Sequence, residues 1–151
     1  MGYKLNWTPE NLTKPLNEAV AKGLTAGAAL LSDTMARNMG SEGGGVVGKT
    51  KTGRNIYKAS PPGRFPGIRT GNLRNSITYE AATASHLTSV AGTTVGKADK
   101  YGMFLEFGTS KMAARPWALR SFNQNKTRIV SVMNVVARRE FDRLVAKGGN
   151  K

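Results

Sequence analysis

The chain contains no cysteine, so neither a disulfide framework nor a thiolate metal site is open to it. It has one histidine, His86, and nine acids among 151 residues. A Cys–His nucleophile pair is therefore excluded, and a Ser–His–Asp set would lack the G-x-S-x-G elbow that normally exposes its serine. The acids (Glu10, Glu18, Asp33, Glu42, Glu80, Asp99, Glu106, Glu140 and Asp142) are scattered. No pair has the spacing of a calcium loop or a metal-dependent nuclease, and Glu140 and Asp142, two apart on a helix, point to different faces. No catalytic residue, metal ligand or cofactor-binding set is expected. No apolar run is long enough for a spanning helix, and MGYKLNWTPENL lacks the apolar segment of a secretory signal. A cytoplasmic product with no membrane partner is expected.

What is abundant is positive charge. Lys and Arg number 23, for a net charge of +14. Such a chain binds polyanions to some degree, either as its task or as an incidental property of a basic surface. Its 18 glycines are clustered rather than periodic, which points to long loops and not to a fibrous repeat. The length is that of one domain, residues 1–151, able to bury a core without staples.

Thr8-Pro9-Glu10 is a helix-start signal and Thr13 a second candidate cap. From there Leu16, Val20, Leu24, Ala28, Leu31, Met35 and Met39 recur at three and four, one stripe of a long helix that should stop near Gly40. Gly23 and Gly27 weaken it, or let another backbone approach closely. Thr70 is a candidate cap for a short helical turn presenting Leu73 and Ile77, followed by a strand through Tyr79. Leu87–Val95 is the clearest strand, with His86 an ordinary polar residue at its start. Tyr101, Phe104 and Leu105 suit one helical turn facing the core. Arg115-Pro116 opens a further helix loaded by Trp117, Ala118, Leu119 and Phe122, with a break near Asn123–Asn125. A last stripe runs through Ile129, Val132, Met133, Val136, Phe141 and Leu144, and a frayed tail follows at 147–151. The fold class is α+β: a small antiparallel sheet packed by a long N-terminal and a C-terminal helix.

Between Gly43 and Tyr79 there is no acid, while Lys49, Lys51, Arg54, Lys58, Arg64, Arg69 and Arg74 are all basic. Self-repulsion argues against a buried element here, and Gly40–Thr70 offers no convincing core element. Val46-Val47 and Asn55-Ile56-Tyr57 suit a hairpin arm, so 41–69 reads as a flexible basic arm, either disordered or ordering against a partner. Lys49, Lys51, Arg54, Lys58 and Arg64 are its candidate contacts to a polyanion or an acidic protein, with Tyr57 and Phe65 able to stack on bases. Gly43–Thr50, GGGVVGKT, matches the letters of a phosphate loop, but no helical stripe follows it. Glu106 lies in an apolar run beside the Gly108 turn and needs partners. Arg115 and the Thr109 and Ser110 amides are the nearest ones, and a fold-fixing bridge, a subunit contact or acid–base catalysis remain open roles.

Two stretches, SPPGRFPGIRTGNLRNSI at 60–77 and YGMFLEFGTSKMAARPWALRSF at 101–122, carry a resemblance. The first resembles the Pro-rich, R-T-G-x-L-x-x-S segment of the tail-component, or neck, family of long non-contractile-tailed bacteriophages and prophages. The second resembles that family's E-F-G-T followed by M-x-A-R-P. The order and separation of the two agree, as do the terminal helices. Arg69, Thr70, Gly71, Leu73 and Ser76 match the first motif; Tyr101, Glu106, Phe107, Gly108, Thr109, Met112, Ala114, Arg115 and Pro116 match the second, with Trp117 at a frequent aromatic position. The resemblance implies a non-enzymatic virion protein of the head–tail junction, present in the host cytoplasm during assembly. It implies self-association into a six- or twelve-fold ring around the DNA passage, with head-closure and tail-terminator proteins as neighbours and non-specific DNA contact possible. These residues would fix the fold and the subunit contacts. A stand-alone basic nucleic-acid-binding protein is the alternative.

Overall fold

A computed structural model describes residues 9–93 and 97–148. The Thr8 cap, the Thr94-Val95 end of the expected strand and the last residues of the tail lie outside that range. The protein is mixed helix and sheet. Helix α1 (Pro9–Asn38) is followed by strands β1 (Gly45–Lys49) and β2 (Asn55–Lys58), and by a short helix α2 (Asn72–Ser76). Strands β3 (Ile77–Glu80) and β4 (Val90–Thr93) precede helices α3 (Lys97–Phe107) and α4 (Ala118–Gly148). Instead of one sheet there are two, each of two antiparallel strands, β1–β2 and β3–β4. The chain divides into two compact units: one holds the residues up to Ala28, Glu80–Val90 and those from Thr127 onward, the other Ala29–Tyr79 and Ala91–Lys126.

In the first unit the two long helices meet through small residues. A Cβ on Gly23 would sit 2.7 Å from the Met133 carbonyl oxygen and 2.9 Å from the Ala137 Cβ. The expected close approach is therefore real, and it explains why glycine is kept in a helix interior despite its propensity cost of about 1 kcal/mol. At Gly27 the obstacle is different: the Met133 Cγ, at 2.5 Å, and its Sδ, at 2.8 Å. A methionine side chain can move and a backbone carbonyl cannot. Gly23→Ala is accordingly expected to cost about 1–3 kcal/mol by overpacking, and Gly27→Ala to cost less, because Met133 can turn aside. Urea unfolding of the two variants measures the difference, and equal midpoints would contradict this packing. Ile129 is buried on the facing stripe of α4, whereas Leu16, placed by the sequence on the inner stripe of α1, is half exposed. Arg128, Arg138, Arg139 and Arg143 are all exposed.

The second unit carries the main hydrophobic core: Met35 of α1, Met39 just past its end, Phe65, Leu73 of α2, Leu105 of α3 and Trp117. Ile77 and Ala91, from β3 and β4, pack against it. Burial of each large side chain contributes about 2 kcal/mol. Phe65 corrects the expectation that 40–70 holds no core element, because only the hairpin stands clear of the core. Residues 51–58 are exposed throughout, while Ser60, Phe65 and Pro66 are buried. The glycine cluster serves a backbone crossing: a Cβ on Gly67 would lie 2.5 Å from the Gly45 amide nitrogen. The segment matching a phosphate loop thus runs into β1 and opens no helix.

Several local expectations give way to tertiary contacts. The α2 cap is Gly71 (φ +81°), not Thr70. Leu87 is exposed and outside any strand, and His86 instead pairs with Thr83 in a tight turn. Helix α4 begins at Ala118, two residues after Pro116, and is continuous through Asn123–Asn125. Asn125 supports that continuity by donating its side-chain amide to the Ser121 carbonyl, 3.0 Å away.

Candidate interaction site

The second unit joins α3 to α4 through Glu106. Its Oε2 accepts the backbone N–H groups of Trp117, at 2.6 Å, and Ala118, at 2.9 Å, and its Oε1 accepts that of Leu119, also at 2.9 Å. One carboxylate therefore satisfies amides that the first turn of α4 leaves without helical partners, at the end of the helix that favours negative charge. The partners expected from sequence, Arg115 and the Thr109 and Ser110 amides, are not those observed. Arg115 instead donates through Nε to the Ser60 carbonyl at 2.7 Å and through a terminal nitrogen to the Ala113 carbonyl at 3.1 Å. Trp117 is buried, and its indole N–H donates to the Gly102 carbonyl at 3.0 Å.

Between the two helices, Gly108 turns the chain at φ +77°, where an added Cβ would lie 2.8 Å from the Met112 carbonyl oxygen. Thr109 and Met112 close the turn by backbone pairing, and Met112 packs on the core. Ser76 donates its hydroxyl to the Leu73 carbonyl at 2.8 Å. The motif residues Leu73, Ser76, Glu106, Gly108, Thr109, Met112, Arg115 and Trp117 thus all make contacts within the fold. Pro116 is half-buried at the α4 entry, and Arg69, Thr70, Gly71 and Tyr101 line a separate cavity with Leu73.

Fixing α3 against α4 in this way leaves apolar side chains outside. Tyr101 and Phe104, expected in the core, are half exposed. Phe107 is 77% exposed and Leu119 61%, so the inner side expected for Leu119 and Phe122 is in fact an outer one. Met103, Phe107, Leu119 and Phe122 border one groove of about 510 Å³ whose floor includes Leu31 and Met35. Exposed single apolar residues are ordinary, whereas these four lie together around one groove. Sequence periodicity could not reveal it, because nearly every position from Tyr101 to Leu105 is apolar.

A second surface is the β1–β2 hairpin, paired Gly45 to Lys58, Val46 to Tyr57, Gly48 to Ile56 and Lys49 to Asn55, with a bulge between Val46 and Gly48. Val46, Val47, Ile56 and Tyr57 are exposed on it, as are Lys49, Lys51, Arg54 and Lys58. Arg64 lies off the hairpin, in a cluster that sequence reading missed. Glu42 accepts from Arg120, with its second oxygen 2.8 Å from the other guanidinium nitrogen, from the Phe65 amide at 2.8 Å, and from Arg64 at 3.4 Å. Arg120 also lies 4.4 Å over the Phe65 ring. The one sequence signal was that Glu42 is the last acid before the long acid-free stretch.

Hydrogen bonding from Arg120, then from the Phe65 amide, lowers the Glu42 carboxyl from 4.5 to about 2. In the first unit, Arg143 and then Lys22 lower Glu140 likewise from 4.5 to about 2. A folded-state value below the unfolded one adds stability that is complete above the unfolded value and disappears as pH falls through the folded one. Both contributions are therefore expected to vanish between about pH 4.5 and pH 2. Denaturant midpoints across that window should fall steeply for the parent and less steeply for Glu42→Gln or Glu140→Gln. Parallel slopes would contradict these assignments.

Among the described residues no group of His, Asp and Glu side chains is placed to hold a metal ion, and no helix is long and apolar enough to cross a membrane. No protein-family model, curated protein or solved structure matches the chain.

Proposed function

We propose that the chain is a structural subunit of the bacteriophage head–tail junction, non-enzymatic, that assembles into a ring around the DNA passage. The observation that carries this reading is the apolar α3–α4 groove, beside the Glu106 cap and bordered by Phe107 and Leu119. A closed ring needs two different patches per subunit, one meeting the other on the neighbour. The groove and the exposed apolar hairpin are two such patches. In this arrangement the hairpin of one subunit lies over the groove of the next, and its lysines and arginine line the junction. Support comes also from the motifs: residues resembling those of the neck family either build the α3–α4 joint or border the groove and the cavity beside α2.

Electron microscopy of the protein mixed with phage heads or tails tests the reading. Ring density at the neck is expected; a diffuse monomer bound only to DNA would overturn it. The basic hairpin favours one other reading, a stand-alone nucleic-acid-binding protein. Joint replacement of Lys49, Lys51, Arg54 and Lys58 by alanine separates the two. A connector subunit should lose assembly, with little sequence-dependent DNA binding to lose. A nucleic-acid-binding protein should instead lose affinity together with roughly three to four units of its log–log salt slope.

A further inference from the structure

The segment 66–74, the end of α1 and helix α3 enclose a second cavity, of about 340 Å³, within the size range of sites that take a small ligand or one anchored side chain. Its floor is aliphatic: Met39, Leu73 and Leu105, each less than a tenth exposed. Its rim carries Arg69, Arg74 and Tyr101. Among the described residues neither arginine pairs with an acid. The Arg69 guanidinium carbon lies 5.0 Å over the Tyr57 ring. A contact of this kind does not consume the guanidinium N–H groups, which can fork onto a carboxylate.

We infer that this cavity binds an acidic peptide segment of another protein, with an apolar anchor side chain on the aliphatic floor and flanking carboxylates held by Arg69 and Arg74. Charge complementarity selects that occupant. A second copy of this chain is a poor source, because it has only nine acids and Glu42, Glu106 and Glu140 are already engaged. Nucleic acid fits less well: bases stack on aromatic faces, and among the residues lining the cavity only Tyr101, at the rim, is aromatic. The inference goes beyond the ring reading and does not rest on it, since it concerns a different cavity and a soluble peptide.

The probe is a short fluorescein-labelled peptide of alternating Asp and Gly around one central Phe, titrated with the full chain and read by anisotropy. Binding is expected. It should weaken about tenfold or more when Arg69 and Arg74 are both replaced by alanine, as loss of charge-assisted hydrogen bonds requires. Thr70→Trp should block it as well, by filling the cavity with no change of charge. All three positions are exposed, so the variants should fold, and circular dichroism checks this. The inference is overturned if a peptide with Ser in place of Phe binds equally well. It is overturned too if neither variant changes affinity, or if oligo(dT) binds this site more tightly than the peptide and with the same dependence on Arg69 and Arg74.

Discussion

Glu106→Ala is expected to destabilise the protein by about 2–4 kcal/mol, a fall in melting temperature of roughly 5–15 °C for a chain of this size. The reason is local and countable. Removing the carboxylate leaves the Trp117, Ala118 and Leu119 amides without their acceptor at the start of α4. It also removes a negative charge from the positive end of the helix dipole. Glu106→Gln should fall between parent and alanine variant: the amide keeps one accepting oxygen, but its NH₂ faces an amide donor. Differential scanning calorimetry orders the three proteins. An alanine variant that melts with the parent would show that α4 needs no cap from α3 and that this joint is not what positions the groove.

The second large effect concerns association. Phe107 and Leu119 are among the most exposed large apolar residues of the described chain. Replacing both by aspartate should leave the monomer folded, because surface substitutions rarely exceed about 0.5 kcal/mol. The same change places charge where the proposed neighbour seats its apolar hairpin. Two anchors, each worth about 2 kcal/mol when buried, imply self-association weaker by roughly a hundredfold or more. Sedimentation equilibrium across a concentration series measures this. A variant that associates like the parent would remove the groove from the subunit contact.

Features governed by neighbouring residues were legible in the sequence. The end of α1 before Gly40, the apolar stripe of α4, the hairpin strands around 46 and 56 and the close approach at Gly23 all follow from spacing and residue type. What was not legible depends on distant partners. Glu106 meets amides 11 to 13 residues away, and no spacing rule favours them over the nearer Thr109 and Ser110 amides. Glu42 reaches Arg120 across 78 residues. The Asn123–Asn125 break fails because Asn125 bonds within the helix it was expected to end. The orientation of α3 was hidden for another reason: with Tyr101, Met103, Phe104, Leu105 and Phe107 all apolar, the apolar pattern of that stretch does not separate an inner from an outer face. Phe65, set among prolines and arginines, looked like part of an arm, and only the crossing of Gly45 and Gly67 brings it to the core.

The central proposal, that the hairpin of one copy covers the α3–α4 groove of the next, can be tested at a single position. p-Benzoylphenylalanine is placed at Phe107, the assembled protein is irradiated, and the adducts are mapped by mass spectrometry after mixing heavy- and light-isotope subunits. Cross-links from position 107 of one copy to Gly45–Lys58 of another are the expected product. Adducts confined to the same copy, or none to the hairpin in an assembled ring, would contradict it.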